Sequence, residues 1–176
     1  ENGCGTMNAI TPKALRAIRD LGATHVWYTG VIRHATSQYN TPSIVKGKAG
    51  SPYAITDYYD IDPDICEDKR RRMHEFEELV ERSHQAKLDV IIDFVPNHVA
   101  REYHSTCKPK GVEDLGATDN PQWAFSPLNN FYYIHQPFAP SFDVEGYTEN
   151  PTRATGNDCF TAHPSKDDWY ETVKLN

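Results

Sequence analysis

The sequence predicts an α/β fold built around a strand–helix–strand unit with parallel strands, and three stretches predict it. Residues 24–30, THVWYTG, are dense in aromatic and branched side chains, the composition of a strand. Residues 89–95, DVIIDFV, form a second apolar run rich in β-branched residues, the pattern of a strand buried on both faces. Residues 67–86 lie between them and carry apolar side chains at helical spacing. Two buried strands joined by a helical crossover run parallel.

Each element has its local reason. Thr11-Pro12 supplies an N-cap and a proline at the first helical position. Ala14, Leu15, Ile18 and Leu21 then form an apolar stripe, and Gly22 is a natural stop. The strand over 24–30 follows. The next helix runs from Glu67 to Ala86, with Met73, Phe76, Leu79 and Val80 as its buried stripe. Its basic run, Lys69-Arg70-Arg71-Arg72, is surrounded by Glu67, Asp68, Glu75, Glu77 and Glu78. Opposite charges at that spacing describe a solvated helix face rather than a nucleic-acid patch. The strand over 89–95 comes next.

From Val99 to Asn176 the regular pattern stops. The stretch is far longer than an ordinary connection, whose median is about 4–6 residues. It is rich in proline, asparagine and rings, including Trp123, Phe125, Phe131, Tyr132, Tyr133, Phe138 and Phe142. It reads as an irregular subdomain inserted after the strand and held by a small aromatic core. Some of its rings are candidates to stack on a ligand such as a sugar, although packing is the commoner fate of each.

Composition excludes several classes. At 176 residues the chain suits one domain with a real core. Apolar residues are 38% and charged residues 24%, so the chain is not disordered. A net charge of −7 argues against nucleic acid, which needs a basic face. No apolar run approaches the ~20 residues of a membrane helix. Cys4, Cys66, Cys107 and Cys159 are scattered without a paired spacing, which argues against zinc. Cys107 and Cys159 flank the same long loop and are the one candidate disulfide; free buried thiols are the better expectation. The chain starts at Glu1 and stops at Asn176 directly after an apolar stretch, so it reads as cut at both ends, and localisation is not legible.

The chemistry gathers where the second strand ends. In parallel α/β folds, function collects at the carboxyl ends of strands, where Pro96, Asn97 and His98 stand. Asp93 interrupts the apolar run itself. A carboxylate in a core strand costs several kcal/mol unless it is paired or hydrogen-bonded, so Asp93 is expected to meet a buried polar cluster.

These residues resemble a known family. DFVPNH, with Asp93, Val95, Asn97 and His98, is similar to the first signature of the alpha-amylase family of glycoside hydrolases. GATHVWYTGVI resembles that family's second strand, and SPYAITDYYDIDPD (residues 51–64) the segment after it. Lys174-Leu175-Asn176 resembles the end of a late signature in the neopullulanase and cyclomaltodextrinase branch, with Val173 where that signature has proline. The resemblance implies a partial (β/α)8 TIM barrel, a βαβ slice running from second to third strand. An irregular inserted domain follows the third strand. Residues 1–98 would be the barrel part, and 99–176 the inserted domain leading back towards the barrel.

The same resemblance supplies roles. His98 corresponds to a histidine that hydrogen-bonds the sugar at the cleavage site, and Tyr53 to a tyrosine that stacks on it. Asp93 would organise polar groups at the strand ends. Asn97 matches a side chain that often binds a structural calcium, but Lys174 stands where the family often has an aspartate ligand, which speaks against the metal. No other cofactor is implied. Retaining hydrolysis uses two carboxylates about 5–5.5 Å apart, and in the family these follow on later strands. The segment is therefore expected to carry cleft residues without catalytic ones, to be silent alone, and to self-associate. The implied substrate of the parent is an α-glucan or maltooligosaccharide, with no nucleic acid or membrane partner. A non-catalytic carbohydrate-binding protein derived from the same fold is the alternative. A metal-dependent hydrolase using Asp93 and His98 is a weaker one, since no second histidine lies at ligand spacing.

Overall fold

A computed structural model describes residues 5–176; Cys4 lies outside them. In chain order the elements are α1 (Pro12–Asp20), β1 (His25–Tyr28), β2 (Ile32–His34), β3 (Ile55–Ile61), α2 (Arg72–Gln85), β4 (Asp89–Ile92), β5 (His98–Ala100), β6 (Tyr133–Ile134), β7 (Thr152–Arg153) and β8 (Thr172–Lys174). They fall into two compact units, Glu1–Arg33 with Asp60–Phe94, and His34–Tyr59 with Val95–Asn176.

The first unit contains the expected strand–helix–strand motif. β1 and β4 pair in parallel, with His25 opposite Asp89 and Tyr28 opposite Ile92. α1 begins as the sequence dictates: Thr11 Oγ1 accepts the Ala14 N–H at 3.2 Å, and Pro12 occupies the first turn. Gly22 ends it with φ +97°, a conformation only glycine adopts freely.

Burial departs from the sequence reading. Only Leu15 of the α1 stripe is buried, and Leu21 is 88% exposed. The strands expected to be buried on both faces are not, since Trp27, Ile91, Ile92 and Phe94 are all exposed. The reason is strand number. A parallel strand is buried when strands flank it and helices cover both faces, and β1 and β4 form a sheet of two. The core sits instead around Met7, Ile61, Cys66 and Leu79, and around Leu15, Ala86 and Leu88. Burial pushes the Cys66 thiol up to about 11.

The second helix also starts later than its composition suggests, at Arg72 rather than Glu67. Glu75 explains this. Its buried carboxylate accepts the N–H groups of Glu67 at 3.0 Å and Asp68 at 2.8 Å, which closes a turn ahead of the helix. Glu75 thus takes the buried position near the start of the helix, while Met73 is exposed. The basic run is ion-paired, but mostly to acids ahead of the helix: Lys69 with Asp64 at 3.1 Å and Arg72 in two contacts with Asp60 at 2.6 and 2.8 Å, while Arg71 meets Glu78, one of the acids of the helix, at 3.8 Å.

The second unit is the irregular region together with residues 34–59. β5 pairs antiparallel with β8, and β6 with β7, while Phe131 bridges Leu175. Val99, Phe131, Tyr133 and Val173 form its main core. The expected aromatic core is therefore real but partial: Phe131, Tyr133 and Phe138 are buried, while Trp123 and Phe125 lie on the surface. Cys66, Cys107 and Cys159 are all free, which removes the candidate disulfide. Only Cys66 of these is buried, because Cys107 falls on an exposed turn. Among the described residues, no helix is long and apolar enough to cross a membrane.

Candidate functional site

The second unit gathers three of the four residues singled out by the sequence. Val95-Pro96 ends the extended run, and His98 opens β5 directly opposite Lys174 of β8. His98 is 7% exposed. With Tyr53, Lys46, Trp169 and Glu171 it lines a cavity of about 230 Å3. Trp169 meets the imidazole edge-on at 5.3 Å between ring centres, and Tyr53 is 44% exposed. One polar ring at the wall and two aromatic faces beside it can hydrogen-bond and stack on a small polar ring compound.

The hydrogen bonds fix the state of His98. An ammonium only donates, so the Asn97 atom 2.5 Å from Lys174 Nζ is its oxygen. The Asn97 nitrogen then donates to Gly156 O at 2.8 Å and to His98 Nδ1 at 2.9 Å. Nδ1 must therefore be the acceptor, which places the ring proton on Nε2. Burial is the main cause that lowers the His98 pKa, and the Lys174 charge adds to it, against a hydrogen bond to the Tyr53 carbonyl. The pKa is lowered overall, and with Nδ1 accepting from Asn97 it is the Nε2 proton that turns to the Tyr53 carbonyl.

Sequence reasoning missed Trp169, Lys46, Glu171 and Gly156. Lys46 Nζ reaches Asp168 O at 2.8 Å and Glu171 Oε2 at 3.5 Å, which pins the cavity wall. Gly156 is a matter of space: a Cβ there would meet Thr172 Oγ1 at 2.5 Å and His98 Cβ at 2.8 Å. Trp169 follows His98 by 71 positions, and no local pattern links them. The one available signal was the Gly156-Asn157-Asp158 turn, which marks a close backbone approach without saying to what.

Asp93 belongs to the first unit and follows the last residue of β4. Its Oδ1 accepts the Trp27 Nε1–H at 2.8 Å, whereas Oδ2 is buried with no hydrogen-bond partner among the described residues. The buried polar cluster expected of it is thus reduced to one indole, because the strand ends before it and Trp27 is itself exposed. Asp93→Ala should accordingly cost about 1 kcal/mol, the worth of one ordinary hydrogen bond. Asp93→Asn should cost less, since an acceptor for Trp27 remains. Urea unfolding followed by tryptophan fluorescence measures both, and a loss above about 3 kcal/mol would reveal the missing cluster.

Comparison with known proteins places this geometry. Residues 1–169 match the model of the alpha-amylase catalytic domain. Maltase A1 of Drosophila melanogaster is 29% identical over 161 residues, covering 77% of this chain and 25% of that protein. Maltase 1 of Drosophila virilis is 31% identical over 118 residues, covering 65% of this chain and 16% of that protein. The chain thus spans a quarter or less of the length of these relatives. Among solved structures, an alpha-amylase from Lactobacillus plantarum superposes with a TM-score of 0.54 at 24% identity, over 97% of this chain and 28% of that one. The Nostoc punctiforme debranching enzyme gives 0.58 at 19% identity, over 100% of this chain and 28% of that one. At those identities the likeness is one of fold. With nearly its whole length matched by the catalytic-domain model, the chain belongs to the alpha-amylase family of glycoside hydrolases.

Proposed function

We propose that the parent protein cleaves or transfers α-glucosidic bonds of starch, glycogen or maltooligosaccharides through a covalent glycosyl intermediate, and that this segment builds part of its cleft. In this reading residues 1–98 are a slice of a (β/α)8 barrel and 99–176 the domain inserted after its third strand. His98 donates to a sugar hydroxyl, Tyr53 stacks on the same ring, and Asp93 orders the strand ends. The observation that carries the reading is the cavity itself, lined by the buried His98 imidazole together with Tyr53 and Trp169. A sugar hydroxyl that takes the Nε2 proton over from the Tyr53 carbonyl gains a bond that can strengthen as charge develops on the sugar.

In this reading the acid pair of a retaining mechanism lies outside this segment, and of the residues lining the cavity Glu171 alone carries a carboxylate. His98 and Tyr53 can orient a sugar, but neither forms a glycosyl ester nor protonates a leaving oxygen. The 176-residue chain alone should therefore release no sugar from maltooligosaccharides, whereas the full-length parent should. Proton NMR of the parent's products should show the α-anomer appearing first. A β-anomer first, or activity in the isolated chain, would defeat the reading. The apolar surface of Trp27, Ile91, Ile92 and Phe94 adds a further expectation: the chain alone self-associates. Sedimentation of a strictly monomeric species would count against it.

A further inference from the structure

In the family that this chain resembles, the side chain matching Asn97 often binds a structural calcium, and the residues around Asn97 here do not fit one. Calcium takes about six to eight oxygen ligands, carboxylates prominent among them. The Asn97 side-chain oxygen is already bound by Lys174 Nζ at 2.5 Å. The Gly156 carbonyl is engaged by the Asn97 nitrogen at 2.8 Å. Asp158 offers a carboxylate, but its Oδ1 lies 3.2 Å from the same ammonium. A divalent ion on Asn97 Oδ1 would sit at close range to a fixed charge of its own sign.

We propose that the Lys174 ammonium is itself the cation of this site, a built-in charge that replaces a structural calcium by binding Asn97 and Asp158. Its placement follows from the strand pairing. Lys174 lies opposite His98 in the β5–β8 ladder, and its own N–H donates to Ala154 O at 2.9 Å. The Lys174 side chain is 19% exposed, so its charge is largely removed from solvent, while Asp158 meets it from the surface at 64% exposure. A single side chain thereby joins β8, the start of β5 and the turn carrying Asp158. A calcium ion would make the same connection between oxygen ligands, but it could be lost by dilution or chelation. The tethered ammonium cannot be. The inference rests on these contacts alone and is independent of whether the parent is catalytic.

The test uses the 176-residue chain, with calcium chloride as the probe. Isothermal titration should detect no calcium binding, and the thermal midpoint should be the same in calcium and in EDTA. Lys174→Asp supplies a carboxylate beside Asn97 and Asp158, so it should bind calcium at least about tenfold more tightly than the unsubstituted chain. Lys174→Met keeps the stem without the charge; its midpoint should fall, and calcium should not restore it. Calcium binding by the unsubstituted chain that Asn97→Ala abolishes would overturn the proposal. So would a Lys174→Met chain as stable as its parent. Should Lys174→Asp fail to fold, the titration of the unsubstituted chain and the Lys174→Met midpoint decide between these outcomes.

Discussion

Glu149→Ala should remove about 3–5 kcal/mol of folding stability, the penalty for leaving buried charges without their partner. Glu149 sits between two guanidinium groups. Arg101 Nη1 donates to Oε1 at 2.7 Å, and Arg153 Nη2 to Oε2 at 2.8 Å. The Arg153 backbone N–H adds a bond of 2.5 Å, and the Tyr147 hydroxyl another. The Arg101 side chain is fully buried and lies over the Phe138 ring at 4.1 Å. Its Nε donates to Tyr170 O at 2.5 Å. Removing the carboxylate strands a guanidinium that water cannot reach. Glu149→Gln should cost less, because shape and one acceptor remain. Urea unfolding of the three forms measures the differences, and a loss below about 1 kcal/mol would show that solvent reaches the cluster.

The same cluster sets an acid limit. Burial pushes the Glu149 carboxyl up, but the charges of Arg153 and Arg101 together hold it below its ordinary value. A carboxyl lowered in the folded state contributes stability that is present above its unfolded pKa and lost as pH falls through the folded one. Unfolding should therefore steepen below about pH 4, and Glu149→Gln should flatten that limb.

His98→Ala, made in the full-length parent, should lower kcat/KM on maltooligosaccharides on the order of 100-fold, the typical cost of removing one positioned donor to developing charge. The effect should fall mainly on kcat, since a bond that strengthens in the transition state contributes little to ground-state binding. The fold should survive, because the imidazole lines a cavity rather than filling a core. His98→Gln should recover part of the activity if its amide reaches the position of Nε2. Steady-state kinetics decide the matter: an unchanged kcat in a folded His98→Ala protein would remove the role given to His98.

Much of the local structure was legible in the chain. Thr11, Pro12 and Gly22 set the ends of the first helix, because capping and left-handed backbone are properties of single residues. The parallel pairing of residues 25–28 with 89–92 followed from two apolar runs and a helix between them. DFVPNH marked the strand end and its polar close, and the family match over residues 1–169 bears out that resemblance. The start of the second helix was not legible, since it follows a turn that Glu75 closes by accepting an N–H eight residues earlier.

What the sequence by itself determined was therefore the type and order of α1, β1, α2 and β4, and the family, all of which depend on short-range propensity and pattern; β2 and β3 fall where it offered only a long loop. Tertiary structure alone decided exposure and partnership. Whether Ile91 and Ile92 are buried depends on how many strands flank them, which no property of DVII encodes. Whether Asn97 is a metal ligand or an acceptor for lysine depends on residue 174, brought 2.5 Å away from a distance of 77 positions. Trp169 reaches His98 only because β8 returns to pair with β5. Propensity acts over a few residues, whereas burial and hydrogen bonding act over ångströms, and folding brings together residues that the sequence leaves far apart.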